Sequence, residues 1–181
     1  MVTTGTSVVA GSAGNGTGSV RLARMSMLAA IGVAALMIGV LVYLADRSPS
    51  HPGLLPAAWA LDGGPLFGSL GAWLPSFVHP FAFALLGAAL QPPRAAPVYG
   101  GCLGWWLVNV AFEVGQHPRI APTLVDALGG AGADSAPARA LANYFAQGRF
   151  DAGDLLAATL GALAAAALLR AAHRKEALHV R

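Results

Sequence analysis

Met25–Leu44 reads MSMLAAIGVAALMIGVLVYL, twenty residues without a charge. About 20 apolar residues in helical form cross the hydrocarbon core of a bilayer, so this stretch is long enough to span one. Arg21 and Arg24 precede it, as basic residues precede a secretory leader. A leader's apolar core, however, runs to about 7–15 residues and ends at a small-x-small cleavage site. Here the run is longer, and Ala45 has Tyr43 two positions before it. The stretch reads as a retained transmembrane helix.

Composition points the same way. Charged residues make up 10% of the chain and hydrophobic ones 56%, whereas soluble domains carry about 25% charged residues. A surface this poor in charge expects lipid as its solvent. The net charge of +3 does not indicate nucleic acid, because the basic residues flank apolar stretches and no Lys/Arg run interleaves with aromatics. Cys102, the single cysteine, excludes an intrachain disulfide framework and a cysteine-based metal motif.

Three further stretches are long enough to span. The second, about residues 70–90, ends before Gln91-Pro92-Pro93, with Pro75 suited to its first turn. The third covers Pro97–Val114, with Pro97 near its start, and the fourth Asp154–Ala172, with Asp151 or Asp154 as N-cap. The fold expected is therefore an all-α integral membrane protein, a bundle of four transmembrane helices. Residues 1–20 form a disordered cytoplasmic tail in this reading, and 21–181 a single membrane domain. Within the loop 115–153, Ser135 can cap a short helix to Gln147 with Gly148 as its C′ residue. Leu141, Tyr144 and Phe145 share a face of it, as an interfacial helix lying on the membrane surface or on the bundle requires.

Lys and Arg set the orientation. With a cytoplasmic N-terminus, the inner segments hold Arg21, Arg24, Arg94, Arg170, Arg174, Lys175 and Arg181, and the outer ones Arg47, Arg119, Arg139 and Arg149. The chain then runs N-in to C-in across the plasma membrane. Gly100 with Gly104, Ala157 with Gly161 and Ala165, and Ala35 with Gly39 offer small-residue ridges at which helices can approach closely. Trp59, Trp73, Trp105 and Trp106 read as belt or packing residues.

Chemistry is sought where polar groups enter the apolar stretches. Glu113 ends a run of Trp, Leu, Val, Ala and Phe, and Gln116 and His117 follow on the same helical face. An ionisable group at membrane depth costs about 2.5–3.5 kcal/mol at a helix centre, so a reason for it is expected. His79 is placed about a turn into the second helix, and Arg149, Asp151 and Asp154 lead into the fourth. All of these fall at the outer end. Glu113, Gln116, Arg149, Asp151, Asp154 and His79 are thus the candidate ligand-binding residues. Two readings stay open, a functional polar pocket or ordinary ion pairing with helix capping. A third makes Glu113 a general base, or a metal ligand with His79 and His117. No Walker motif, no G-x-S-x-G and no Cys–His pair advertises a nucleophile, and no cofactor is indicated. A purely structural or assembly subunit using the small-residue ridges is a further alternative.

Three of these elements together resemble the VanZ-like family of small bacterial membrane proteins. Glu113-Val114-Gly115-Gln116 matches that family's Glu-x-x-Gln at the end of a helix. Gly148-Arg149-Phe150-Asp151-Ala152-Gly153-Asp154 is similar to its Gly-Arg-x-x-Asp-x-x-Asp-like lead into a last helix, with one residue fewer between Arg149 and Asp151, and is continued by Ala158-Thr159-Leu160-Gly161. Pro75-Ser76-Phe77-Val78-His79 stands for its Asp-Lys-x-x-His-like opening, with Pro75 and Ser76 in place of the charged pair and Ala158 in place of Asn. The resemblance, to a family named for glycopeptide (teicoplanin) resistance, implies a cell-envelope membrane protein that binds or shelters a lipid headgroup or other envelope component. The lipid bilayer is the partner expected, and nucleic acid is not.

Overall fold

The computed structural model describes residues 14–46, 66–91, 95–132 and 135–179. The expected tail residues 1–13, together with Arg47, Trp59, Arg94 and Arg181, lie outside the described residues. The described chain is all-helical: α1 (Gly14–Asp46), α2 (Ser69–Leu90), α3 (Ala95–Gly115), α4 (Ala121–Gly132), α5 (Ala136–Gln147) and α6 (Ala152–His179). Helix α1 begins at Gly14, so residues 14–20, expected as tail, are helical.

Three helical segments are long and apolar enough to cross a membrane: Gly18–Asp46, Ser69–Leu90 and Ala152–Lys175. Their outward faces carry large apolar side chains, among them Met37 and Ile38 on α1 and Leu156, Leu160 and Leu163 on α6. Leu156 is 62% exposed and Leu163 61%. A helix apolar on both its packed and its open faces has lipid on the open one, and these faces define a membrane protein.

Helix α2 is the hub, packed against α1, α3 and α6. Helix α1 runs antiparallel to it: Gly32 sits against Leu86, Gly39 against Val78, and the Asp46 carboxylate fills the space beside Gly71. Helix α6 runs parallel to α2, with Gly161 beneath the Phe77 carbonyl and Gly153 under the Trp73 indole. Helix α3 runs antiparallel to α6, joined by Trp106 Nε1–H donating to Thr159 Oγ1 at 3.0 Å. The Thr159 hydroxyl donates in turn to the Leu155 carbonyl at 2.8 Å. Trp106, read as a belt or packing residue, thus also makes a hydrogen bond between helices.

With lipid as solvent, close packing and interhelical polar contacts replace the hydrophobic drive. Leu28, Leu85, Cys102, Ala165 and Leu169 form the core. The ridge of Ala157, Gly161 and Ala165 is buried as expected, and Gly39 of the α1 ridge meets α2. Gly100 and Gly104 face no neighbour: nothing described lies within 4 Å of a Cβ built on either. Arg24, expected as a flanking charge, is buried at 6% exposure, with its guanidinium 3.5 Å from His173 Nε2 of α6.

Asp46 settles where α2 begins. Its carboxylate accepts the backbone N–H of Leu66 at 2.6 Å and of Phe67 at 3.1 Å. The chain then turns at Gly68, whose φ of 55° is the left-handed backbone that glycine adopts without cost. Helix α2 therefore starts at Ser69, and Pro75 lies in its interior with Pro80, not in the first turn as expected. Each proline lacks the N–H that would reach the carbonyl four residues back, at Gly71 and Ser76. Pro97, expected at the start of α3, falls in its first turn, where that N–H has no helical partner in any case.

Packing at the α2–α6 crossing makes a sign test. Alanine normally stabilises a helix interior by about 1 kcal/mol relative to glycine, so Gly104→Ala should leave thermal stability in detergent unchanged or raised. Gly161→Ala drives a methyl group into the Phe77 carbonyl and should lower stability by about 1–3 kcal/mol. Equal effects of the two substitutions would contradict the assigned crossing.

Candidate functional site

Helix α3 ends in a tightening turn. Gln116 N–H bonds the Glu113 carbonyl at 3.1 Å and His117 N–H bonds that of Val114 at 3.0 Å. The chain then reverses, and the His117 carbonyl accepts N–H groups from Ile120 and Ala121 at 2.8 and 2.9 Å as α4 begins. Helices α4 and α5 pack on one another as a hairpin. Helix α5 lies on the end of α3: Phe112 meets Tyr144 at 5.4 Å and Phe145 at 5.9 Å between ring centres. The interfacial helix expected over 136–147 is therefore seated on the bundle through the expected face. Helix α4 was not anticipated.

Glu113 is 8% exposed, and its Oε1 accepts the backbone N–H of Asp151 at 2.5 Å. Asp151 is the N-cap of α6. Its Oδ1 accepts the Gly153 N–H at 2.7 Å and its carbonyl the Asp154 N–H at 3.0 Å. One turn on, Asp154 Oδ1 accepts the Ser76 hydroxyl of α2 at 2.7 Å. Glu113, Asp151, Asp154 and Ser76 thus form a polar seam that ties together one end of α2, α3 and α6. Ser76 stood in the sequence only as a departure from the family's charged pair and not as a site residue; a hydroxyl on an otherwise apolar helix face was the available signal.

Gln116 and Arg149 belong to a different feature. A cavity of about 680 Å³ opens between the α3–α4 turn, the α4–α5 hairpin and the link to α6. Its polar lining is Gln116, His117, Asp126 and Arg149, with Phe145 and Phe150 among its apolar walls. The Gln116 amide lies where a side chain on residue 148 would be, so Gly148 is required for space. Its φ of −71° is ordinary, and the left-handed C′ role expected for it is not used. Ser135 is the N-cap of α5 as expected, but makes no side-chain capping bond. The His117 ring packs edge-on against Phe150 at 5.3 Å, and its Nδ1 accepts the Arg119 N–H at 3.2 Å.

The expected convergence therefore divides in two. Glu113, Asp151 and Asp154 meet in the seam. Gln116 and Arg149 face the cavity with His117, and among the described residues no ion pair joins Arg149 to a carboxylate. His79 lies on α2, one turn beyond Ser76. It stands near the middle of α2, about 15 Å from Ser69 at 1.5 Å per residue, deeper than the single turn expected. Its ring stacks on Phe83 at 6.2 Å, and Phe83 on Trp105 at 4.6 Å. Trp105 is two turns back along α3 from Glu113. Among the described residues no three His, Cys, Asp or Glu side chains gather to hold a metal, so Glu113, His79 and His117 do not assemble as a ligand set.

No protein family, curated protein or solved structure matches this chain. Fold and site together define its class as an all-helical membrane protein with a polar seam, and a cavity beside it, at one end.

If Glu113 serves as the acceptor for Asp151, Glu113→Ala should cost about 1–2 kcal/mol of unfolding free energy in detergent, the loss expected when a partly buried N–H is left unmet. Glu113→Gln keeps an acceptor oxygen and should cost less than half as much. Equal losses would show that the seam depends on the charge, not on the bond.

Proposed function

We propose that the chain is a four-span membrane protein of the bacterial cell envelope, N-in and C-in, whose cavity binds a polar headgroup or small envelope molecule at the outer face. Helix α3 supplies the fourth span. Its 21 residues reach about 32 Å, enough for the hydrocarbon core, and Leu103, Leu107 and Val108 lie exposed along it. Of the eight described Lys and Arg residues, Arg21, Arg24, Arg170, Arg174 and Lys175 lie toward one end of the bundle, and Arg119, Arg139 and Arg149 toward the seam end. By the positive-inside rule this balance favours an outer position for the seam and cavity.

The observation that carries the binding reading is the cavity, lined by both polar and aromatic side chains, beside the ends of α3 and α6. Such concave sites, mostly apolar with a few placed polar groups, suit small ligands. The resemblance to VanZ-like proteins supports the same reading. Its two best-matched elements touch each other, through Glu113 with Asp151 and through Gln116 with Gly148, although about thirty residues separate them in sequence. Arg149, exposed in the link, is the cation available to an acidic group of the ligand.

Native mass spectrometry of the protein released from mild detergent tests this. Wild-type protein should retain an amphiphile, and Arg149→Glu should lose it with helix content unchanged. Equal occupancy in the two proteins would refute the cavity as the binding site.

A further inference from the structure

The charges around the cavity narrow its ligand. Asp126 projects from α4 and Arg149 from the α5–α6 link, so a carboxylate and a guanidinium line one space from different walls. Both residues are exposed, and they form no ion pair with each other. A purely anionic ligand would meet repulsion from Asp126, and a purely cationic one from Arg149. A ligand carrying both charges satisfies both.

His117 adds a donor to the anionic side. With Nδ1 accepting the Arg119 N–H, the neutral ring carries its proton on Nε2 and offers an N–H. Guanidinium and imidazole N–H groups suit a phosphate, to which arginine bonds through two parallel donors. Asp126 is an acceptor only, and is best matched by an ammonium that still carries N–H groups. A quaternary ammonium has none and is held best by a cage of aromatic faces. Phe145 does not offer such a cage, being buried against Phe112 and Tyr144. Val125, Phe145 and Phe150 supply apolar wall for an attached chain.

We infer that the cavity takes a phosphate ester bearing a primary amine on a lipid anchor, the chemistry of a phosphatidylethanolamine headgroup, with the phosphate toward Arg149 and His117 and the ammonium toward Asp126. The inference rests on the proposed reading of the cavity as a binding site. Free phosphoethanolamine shares the headgroup chemistry without the chains, and the apolar wall makes it the weaker ligand.

The test titrates full-length protein in detergent with short-chain phosphatidylethanolamine, phosphatidylglycerol and phosphatidylcholine, and with free phosphoethanolamine. Occupancy is read by native mass spectrometry. The ethanolamine lipid should bind roughly tenfold more tightly than the other two lipids, about what one charge-assisted hydrogen bond gives, and more tightly than the free headgroup, which has no chain to meet the apolar wall. Asp126→Asn should erase the preference over phosphatidylcholine without weakening phosphatidylglycerol, and Arg149→Ala should weaken all three lipids. Three lipids bound equally well, indifferent to Asp126→Asn, would overturn the ligand class while leaving the binding reading in place. Free phosphoethanolamine bound as tightly as the lipid would overturn the lipid anchor. Binding of none of the four would overturn both the ligand class and the reading beneath it.

Discussion

The bond from the Asp151 backbone N–H to the Glu113 carboxylate holds the end of α3 to the start of α6, and much of the molecule's polar organisation follows from it. Residue 151 has its own duty as N-cap, with its side chain turned back to the Gly153 N–H. Because Glu113 takes the N–H and Asp151 supplies the cap, the first turn of α6 is fixed on both sides. Asp154 is thereby presented to Ser76, and α2 is drawn into the same seam. In surroundings of low dielectric, a network whose members answer one another is stable, whereas a broken one is costly. The chain between residues 113 and 151 must then leave and return at one place. It does so as the α4–α5 hairpin, and the cavity is the open space between that hairpin and the end of the bundle.

Along the helices the constraint is different. Lipid gives apolar side chains no reason to prefer each other, so the bundle is held where backbones can come close. Gly161 brings α6 onto the Phe77 carbonyl, Gly32 and Gly39 bring α1 onto α2, and Gly71 makes room for Asp46. Asp46 sits at a helix C-terminus, where the helix dipole opposes a carboxylate. The N–H groups of Leu66 and Phe67 compensate it and hold the start of α2 beside the end of α1.

The spanning helices were legible in the sequence because a run of some twenty apolar residues has few other uses. Asp151 as a cap and Ser135 as the start of α5 were legible from side-chain chemistry. The start of α2 was legible only to within a few residues. It depends on Asp46, twenty residues upstream of Leu66 in sequence, and no local signal marks that bond. Helix α4 was missed because Gly129, Gly130 and Gly132 weaken its pattern, although Pro122 suits a first turn and Leu124, Val125 and Leu128 share a face. Gly148 was read for its backbone freedom, while the structure uses it for its missing side chain. Only a long-range contact with Gln116 could reveal that, and the cavity, with Asp126 as a wall, is invisible for the same reason.

The central claim is that α3 crosses the membrane, so that the seam and the cavity lie together on the outer side. Reporter fusions at residues 94 and 130 test it directly, since only α3 can separate those two positions. The expected result is a cytoplasmic signal at 94 and an external one at 130. Signals on the same side would contradict the claim, leaving a three-span protein.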